Sequence, residues 1–510
     1  MFIETTQISG AHCCAAAGVL LITYYVVPYL LDPHNYRRRF SGPWLASFTG
    51  SWLANSATSG RHYQNLLELH NKYGKFVRVG PNHISIADAD ALEVVYGHSS
   101  GTLKSEFYDA FHNGKEDIFN SREKAIHTMK RKRIANIFSP QNIVAFEPRV
   151  RVHIRRLCAQ LDMRCKQAFM GNSGFNWVAK DGRAVINSSL QFAYLTFDII
   201  SDLALGLPFG MVEGQKDSTP AFLSLTSKKN VEGMSPIHFI AAGGKGAMAL
   251  GSYPPWVQKM LLYGTPWHIP DLIVRRNFLK TVKAAVNARV SRIEREGQSD
   301  KERGVDLLDK LFEVKNVDGS PLTREEIDSE ALVTLGAGAI RRPTAMSYYI
   351  ASNSEIKRKL QQELDLIDMD SVVDQDDLDE DQSGHAIPRF EQVKNLPYLN
   401  ACVKETLRLY STVGAGLPRS SVWGSDAEAY RPERWLEDES ASLNKYFVAF
   451  STGPRGCVGR NLANMNLLLI ASAFFRRYDI DLATPATKLV VDEGFVRNVT
   501  DCEVSIKPRV

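Results

Sequence analysis

Neither sign of charge is in excess in this 510-residue chain: 61 lysines and arginines against 57 aspartates and glutamates leave a formal net charge of +4. That balance argues against a dedicated nucleic-acid binder and leaves room for local basic patches. Paired cysteines are missing too. The seven, at positions 13, 14, 158, 165, 402, 457 and 502, form no Cys-x-x-Cys and no zinc-ligand spacing. A disulfide framework and a metal knuckle are therefore not suggested, and a reducing compartment fits best. The glycine-rich run Ala241-Ala242-Gly243-Gly244-Lys245-Gly246-Ala247 lacks the Gly-x-x-x-x-Gly-Lys-Ser/Thr order of a phosphate loop. One absence is local: Cys13 to Leu31 holds no charge, and it is about long enough to cross a bilayer core. A cleaved signal peptide fits less well, because no positive region precedes the run and no small-x-small site leads out of it. Arg37-Arg38-Arg39 follow, and positive flanks stay cytoplasmic. The expected order is a short lumenal N-terminus (1–12), a transmembrane anchor (13–31), a basic hinge (32–43) and one large domain (44–510).

What the chain does contain is concentrated in Phe450-Ser451-Thr452-Gly453-Pro454-Arg455-Gly456-Cys457-Val458-Gly459. A cysteine placed where a loop enters a helix sees the helix dipole and free N–H groups, both of which favour thiolate. Gly453, Gly456 and Gly459 let the backbone turn tightly and let a flat ligand approach it. The apolar stretch from Asn461 to Phe475 predicts a buried helix leaving the cysteine.

The pattern Phe-x-x-Gly-x-Arg-x-Cys-x-Gly resembles the haem-binding loop of cytochromes P450. The resemblance implies a mainly α fold with small β sheets, the cytochrome P450 fold, behind the N-terminal transmembrane helix. It implies haem (iron protoporphyrin IX) as cofactor, with Cys457 the axial thiolate, Phe450 packed on the sulfur side of the loop and Arg455 near a propionate. In the basic run His127 to Arg133, His127 and Arg131 occupy the places of the family's Trp-x-x-x-Arg, whose members bond a propionate. Histidine keeps a ring N–H donor there. Lys130, Lys132 and Arg133 are expected to give an electropositive face for an acidic redox partner.

Other parts follow in the family's order. A helix from about His62 to Lys72 and two strands, Phe76 to Val79 and His83 to Ile86, resemble the N-terminal region. The stretch from Tyr96 to Phe111 resembles that of fungal benzoate 4-monooxygenases, which hydroxylate benzoate at the para position. It sets Lys104 beside Phe107, Tyr108 and Phe111, a cation and rings suited to an aromatic acid. An ordinary loop lysine near core aromatics would read the same. Glu405 and Arg408, one helical face apart by three, and Arg434 correspond to the family's buried Glu-Arg-Arg cluster. Phe495, in the closing hairpin, is a candidate pocket wall with Val413 and Leu417.

Two departures stand out. In the helix expected over the haem, Leu332 to Ile350, Ala337 and Gly338 allow close approach, but Ile340 and Arg341 replace the acid and threonine that deliver protons to bound dioxygen. Pro343 should break the ladder, the segment is about one turn short, and Thr344 is a candidate substitute. Between Leu417-Pro418-Arg419 and Tyr430-Arg431-Pro432 the chain is also too short, with Val422-Trp423 as the join. Apparent deletions thus fall near 340–345 and 422–423, and the second should leave apolar surface uncovered.

The resemblance implies a haem-thiolate monooxygenase in the endoplasmic reticulum membrane, single-pass, with the catalytic domain facing the cytoplasm. It would use O2 and electrons passed from NADPH by cytochrome P450 reductase, with a small aromatic acid as substrate and no nucleic acid as partner. The departures keep two alternatives open. One is a haem-thiolate isomerase or dehydratase without O2 activation; the other is a degenerate, non-catalytic haem-binding relic.

Overall fold

The computed structural model describes residues 10–32, 35–112, 114–219, 235–264, 269–296, 306–316, 318–338, 342–369, 386–411, 422–438 and 440–509. About 61% of the chain is helical, with small antiparallel sheets. The helices that matter here are α1 (Gly10–Leu31), α2 (His62–Tyr73), α3 (Lys124–Ala135), α4 (Glu147–Phe169), α5 (Ser188–Leu205), α6 (Pro236–Gly251), α7 (Arg324–Gly338), α8 (Arg342–Ala351), α9 (Pro397–Leu409) and α10 (Arg460–Arg477).

α1 is 22 residues of almost wholly apolar sequence with none of its spanning window buried against the rest of the chain. Gly10, Ala11 and His12, ahead of the apolar run, are part of it as well. α2 stops at Gly74, which takes φ 90°, a conformation open to glycine and costly for other residues. The β1 (Phe76–Gly80) and β2 (His83–Ile86) hairpin follows. The glycine-rich run at 241–247 lies inside α6 rather than in a loop.

α5 is the centre of the molecule. Its sequence is apolar on all sides and every residue except Leu190 is buried, as expected of a helix with no polar face. Its acids are matched: Asp198 accepts from the amides of Met211 and Val212 at 2.9 and 2.8 Å, and Asp202 pairs with Arg149 and His153. α10 packs into the same core through Leu462 and the buried run from Leu467 to Phe475.

A four-stranded antiparallel sheet, ordered β3 (Trp177–Lys180), β4 (Arg183–Asn187), β8 (Glu503–Pro508), β5 (Tyr478–Leu482), ties the chain's end to its middle. Ile506 sits opposite both Ala184 and Ile480, all fully buried. A separate hairpin pairs β6 (Val490–Glu493) with β7 (Arg497–Asp501) and carries Phe495 at its turn.

The helix expected from Leu332 to Ile350 is described in two parts, α7 up to Gly338 and α8 from Arg342, and residues 339–341 between them lie outside the described residues. Pro343 lies within α8 and is buried. Ile340 and Arg341 lie outside the described residues, as do Val413, Leu417 and most of the acidic stretch after Asp365.

Candidate functional site

The cysteine loop is held by its own backbone. The Cys457 amide donates to the Phe450 carbonyl at 2.8 Å, and the Gly456 amide donates to the Gly453 carbonyl at 3.0 Å. Gly453 has φ 65°, and a Cβ there would lie 1.7 Å from the Tyr96 carbonyl oxygen, so any side chain would push this loop off the 91–96 helix beneath it. Gly459 caps α10 without a side-chain bond, leaving the helix's first N–H groups and positive dipole end near Cys457. The Cys457 thiol is exposed. Phe450 is buried under the loop, with the Arg342 guanidinium 4.7 Å and the Arg460 guanidinium 5.8 Å from its ring centre.

Four basic side chains gather on one side of this loop. Arg131, on α3, donates to the Gly456 carbonyl at 2.5 Å. Arg455 donates to the carbonyls of Ser121 and Arg122 at 2.6 and 3.0 Å. Burial lowers the His127 pKa to about 4, and the charges of Arg455, Arg131 and Lys104 add to the shift, so this ring is neutral at pH 7 and offers one N–H. Burial also lowers Lys104 to about 7, with repulsion from Arg455 added and attraction from Asp117 opposing it. Basic groups that depress one another in this way are arranged for anions that the chain itself does not provide. A cysteine sulfur beside a cluster of basic side chains suits a metal macrocycle bearing carboxylates, and this donor set fits haem.

Lys104 also faces inward. Its ammonium donates to the Phe119 carbonyl and lies 4.0 Å over the Tyr108 ring and 4.3 Å over the Phe119 ring. Around it Phe107, Phe111 and Phe495 come together, with Phe111 and Phe495 centred 4.8 Å apart and Phe107 and Phe495 6.4 Å apart. Phe119 completes this wall, 5.5 Å from both Phe111 and Phe495. Sequence reasoning missed Phe119, and no local pattern marks it; only its place eight residues beyond Phe111 and just before the Arg455-binding carbonyls gives it a role.

The expected electropositive face is smaller than Lys130, Lys132 and Arg133 suggested. Lys130 is buried against Glu330 at 3.2 Å, and Arg133 pairs with Glu326 at 3.1 Å, both acids on α7. A run of consecutive bases on a helix must point around all its sides, so only Lys132 of the three remains exposed.

At the end of α7, Ala337 and Gly338 are exposed. A Cβ on Gly338 would lie 2.2 Å from Ile200 Cγ1, so this glycine also permits α7 to cross α5 closely. On α8, Thr344 is fully buried and its hydroxyl has no hydrogen-bond partner among the described atoms.

Behind the loop, Glu405 is fully buried and Arg408 donates to both its oxygens at 2.8 Å. Arg434 at 3.0 Å, Trp435 Nε1 at 2.9 Å and the Arg431 amide at 2.9 Å complete its shell. The arginines turn their other donors to the short join. Arg434 reaches the Trp423 and Asp426 carbonyls at 3.2 Å, and Arg408 reaches those of Ala427 and Ala429 at 2.7 and 3.1 Å. Trp423 packs on Trp435 at 5.6 Å and is itself buried. The apolar surface expected to be uncovered at Val422-Trp423 is thus partly refilled by the join's own tryptophan.

Comparison with known proteins agrees with this geometry. The cytochrome P450 family model matches residues 41–422 and 419–504, its two pieces meeting at the join. The benzoate 4-monooxygenase of Aspergillus niger is 33% identical, over 96% of this chain and 96% of its own length. A cytochrome P450 monooxygenase of Penicillium aethiopicum is 23% identical over 97% and 98%. Pisatin demethylase of Fusarium vanettenii is 24% identical over 87% and 85%.

Proposed function

The chain belongs to the cytochrome P450 family, whose members bind haem, and we propose that it hydroxylates a small aromatic acid, with benzoate at the para position as the best-supported substrate. The observation that carries this reading is the wall of Phe107, Phe111, Phe119 and Phe495 with Lys104 at its edge. Flat rings bound a flat substrate, and one cation at the border selects for a carboxylate. The similarity to the Aspergillus niger enzyme supports the same substrate class.

Bound haem supplies the oxygen-activating chemistry. The chain's residues have more local tasks. Cys457, at the mouth of α10, would hold the iron through its sulfur. Arg131, Arg455 and neutral His127 would hold the propionates by hydrogen bonds. Lys104, with its pKa near 7, gains a full charge when a carboxylate arrives, and so orients the ring toward the sulfur loop. Electrons would come from NADPH through cytochrome P450 reductase, for which exposed Lys124, Lys132 and Lys315 around a groove of about 740 Å³ offer a basic contact. The apolar α1 followed by Arg37, Arg38 and Arg39 supports a single-pass anchor in the endoplasmic reticulum with the body cytoplasmic.

One observation favours a second reading. Thr344 has a sealed, unbonded hydroxyl, and the positions of the family's acid and threonine read Ile340 and Arg341. A haem-thiolate isomerase or dehydratase needs no proton relay to dioxygen, and a non-catalytic relic needs none either.

The test is spectroscopic first. Reduced protein with carbon monoxide should give a strongly red-shifted Soret band that is lost in Cys457→Ala. Benzoate should then shift the ferric Soret band, Lys104→Met should weaken that response about tenfold through loss of one charge-assisted bond, and reductase with NADPH should yield 4-hydroxybenzoate. A red-shifted band with turnover from peroxide, but none from O2 and reductase, would favour the isomerase or dehydratase. Absence of the band, with no cooperative melt, would leave the relic.

A further inference from the structure

Glycine weakens a helix interior relative to alanine, yet α6 holds Gly243, Gly244, Gly246 and Gly251. Two of these have a visible packing reason. A Cβ on Gly251 would lie 2.6 Å from the Phe107 carbonyl oxygen and 2.8 Å from Phe107 Cδ2, and one on Gly244 would lie 3.9 Å from Phe495 Cβ. Positions 244 and 251 are close to two helical turns apart and so share a face. One helix therefore backs the aromatic wall at both Phe107 and Phe495.

The two rings reach α6 by different routes. Phe107 is on the turn Glu106–Phe111, whose Ala110 packs with Ala247 and Leu250 of α6. Phe495 stands at the tip of the β6–β7 hairpin, and that hairpin is anchored elsewhere. The Glu493 amide donates to the Gly60 carbonyl at 2.8 Å, and the Glu493 carboxylate accepts from the Tyr63 amide at 2.9 Å and from Arg497 at 3.0 Å. Lys245 links the hairpin to α6: its ammonium donates to Asp492 on β6, with the two side chains 23% and 33% exposed. Glycines leave room for this pair on both sides. A Cβ on Gly60, which takes φ 75°, would lie 2.6 Å from Asp492 Oδ1, and one on Gly494 would lie 2.5 Å from Lys245 Cγ. An ordinary surface pair contributes little because two long side chains must be ordered to make it; here the enclosing backbone already orders them.

We propose that Lys245 and Asp492 are positioning residues for substrate selection: their pair holds α6 against the hairpin, keeps Phe495 at 6.4 Å from Phe107, and so closes the wall to acids broader than one ring. This rests on the aromatic-acid reading above. Lys104, at the edge of the wall, answers to the carboxylate that any such acid carries, so it does not discriminate by breadth. The breadth limit comes from the rings, and Phe495 is the ring whose place depends on how a separate hairpin meets α6. Selectivity is a difference between two affinities. Cutting the tie lets the hairpin tip and α6 part, which opens space for a second fused ring and removes contact from a single one.

The experiment uses the full chain in detergent micelles, loaded with haem, and follows the ferric Soret shift on titration with benzoate and with 2-naphthoate. A wild type that responds to neither acid sinks the aromatic-acid reading and this proposal with it; a wild type that responds to benzoate leaves that reading standing whatever the variants do. Wild type should bind benzoate the more tightly. Lys245→Met and Asp492→Asn should each cut the preference for benzoate about fivefold, the scale of one such ion pair. The double variant should lose no more than either single one, since all three cut the same tie, and Lys245→Arg should keep the wild-type ratio. Unchanged ratios, equal weakening of both acids, or losses that add in the double variant overturn the proposal. Salt gives a readout that needs no variant to fold. Raising it to about 1 M screens the partly exposed pair while weakening the Lys104 contact for both acids alike, so the wild-type ratio should fall in the same direction. If the neutral variants take up no haem, a ratio indifferent to salt overturns the proposal.

Discussion

The sequence led us to expect a shortened chain in two places, near 340–345 and 422–423, and the described residues around them differ. Beside Val422-Trp423 the chain supplies partners to the buried arginines and fills the space next to them. Carbonyls of residues 423, 426, 427 and 429 meet the spare donors of Arg408 and Arg434, Trp423 fills space against Trp435, and Tyr430 stacks on Tyr349 at 4.8 Å. At the start of α8, by contrast, Thr344 keeps a buried hydroxyl with no partner among the described atoms, while the Arg342 guanidinium lies over the Phe450 ring. Scaffold interactions ask only that donors find acceptors and that volume be filled, and many backbones meet that demand. A proton relay asks for particular atoms at particular points, a stricter demand than packing makes.

The largest expected effect falls beside Val422-Trp423. Glu405→Ala would strand two buried arginines and the Trp435 N–H, and removing one member of such a cluster costs about 3–5 kcal/mol. Since that is a large share of a domain's net stability, the variant should give little soluble haem protein and a broad, early melt. Retention of the wild-type melting temperature would mean that the arginines' bonds to residues 423–429 hold the join without the acid, and the contrast between the two regions would lose its physical basis.

A smaller effect probes the contact between the helix over the site and the loop that carries the aromatic wall. Asp117 accepts from the amides of Phe119 and Asn120 at 2.8 and 2.9 Å, yet burial, with repulsion from Glu330 added, raises it to about 7 from its ordinary 3.8. Lys130 opposes the shift from its pair with Glu330. The folded state therefore binds more protons than the unfolded state between those two values, so stability falls as pH rises through that window. Melting temperature followed from about pH 4 to 8 should decline in the wild type and flatten in Asp117→Asn, whose side chain has no proton to lose. Parallel profiles would place the titration elsewhere.

Much of this was legible in the sequence because it is written in local patterns. The helix α10 follows from an apolar run after a glycine-rich turn, α2 from leucines ending at Gly74, and the family from one spaced motif. The aromatic wall was partly legible: Phe107 and Phe111 lie on one turn, whereas Phe119 and Phe495 arrive through tertiary contacts that no spacing encodes. Lys130 and Arg133 were misjudged as surface because their partners, Glu330 and Glu326, lie some 200 residues away in the chain. Arg342 was passed over for the same reason, as its neighbour Phe450 belongs to a loop more than 100 residues further on.

The smallest expected effect falls at the start of α8 and sharpens the contrast most. If Thr344 served as the missing relay, its hydroxyl should have at least one partner or a path to water; instead it is sealed at 0% exposure with no bond. An unsatisfied buried hydroxyl is destabilising, and valine has nearly the same shape without it. Thr344→Val should therefore leave the carbon monoxide spectrum and any turnover unchanged while raising stability by about 1 kcal/mol. Loss of turnover with an unchanged melt would instead identify this hydroxyl as part of the chemistry, and would mean that the relay sits a few residues further along the chain than Ile340 and Arg341.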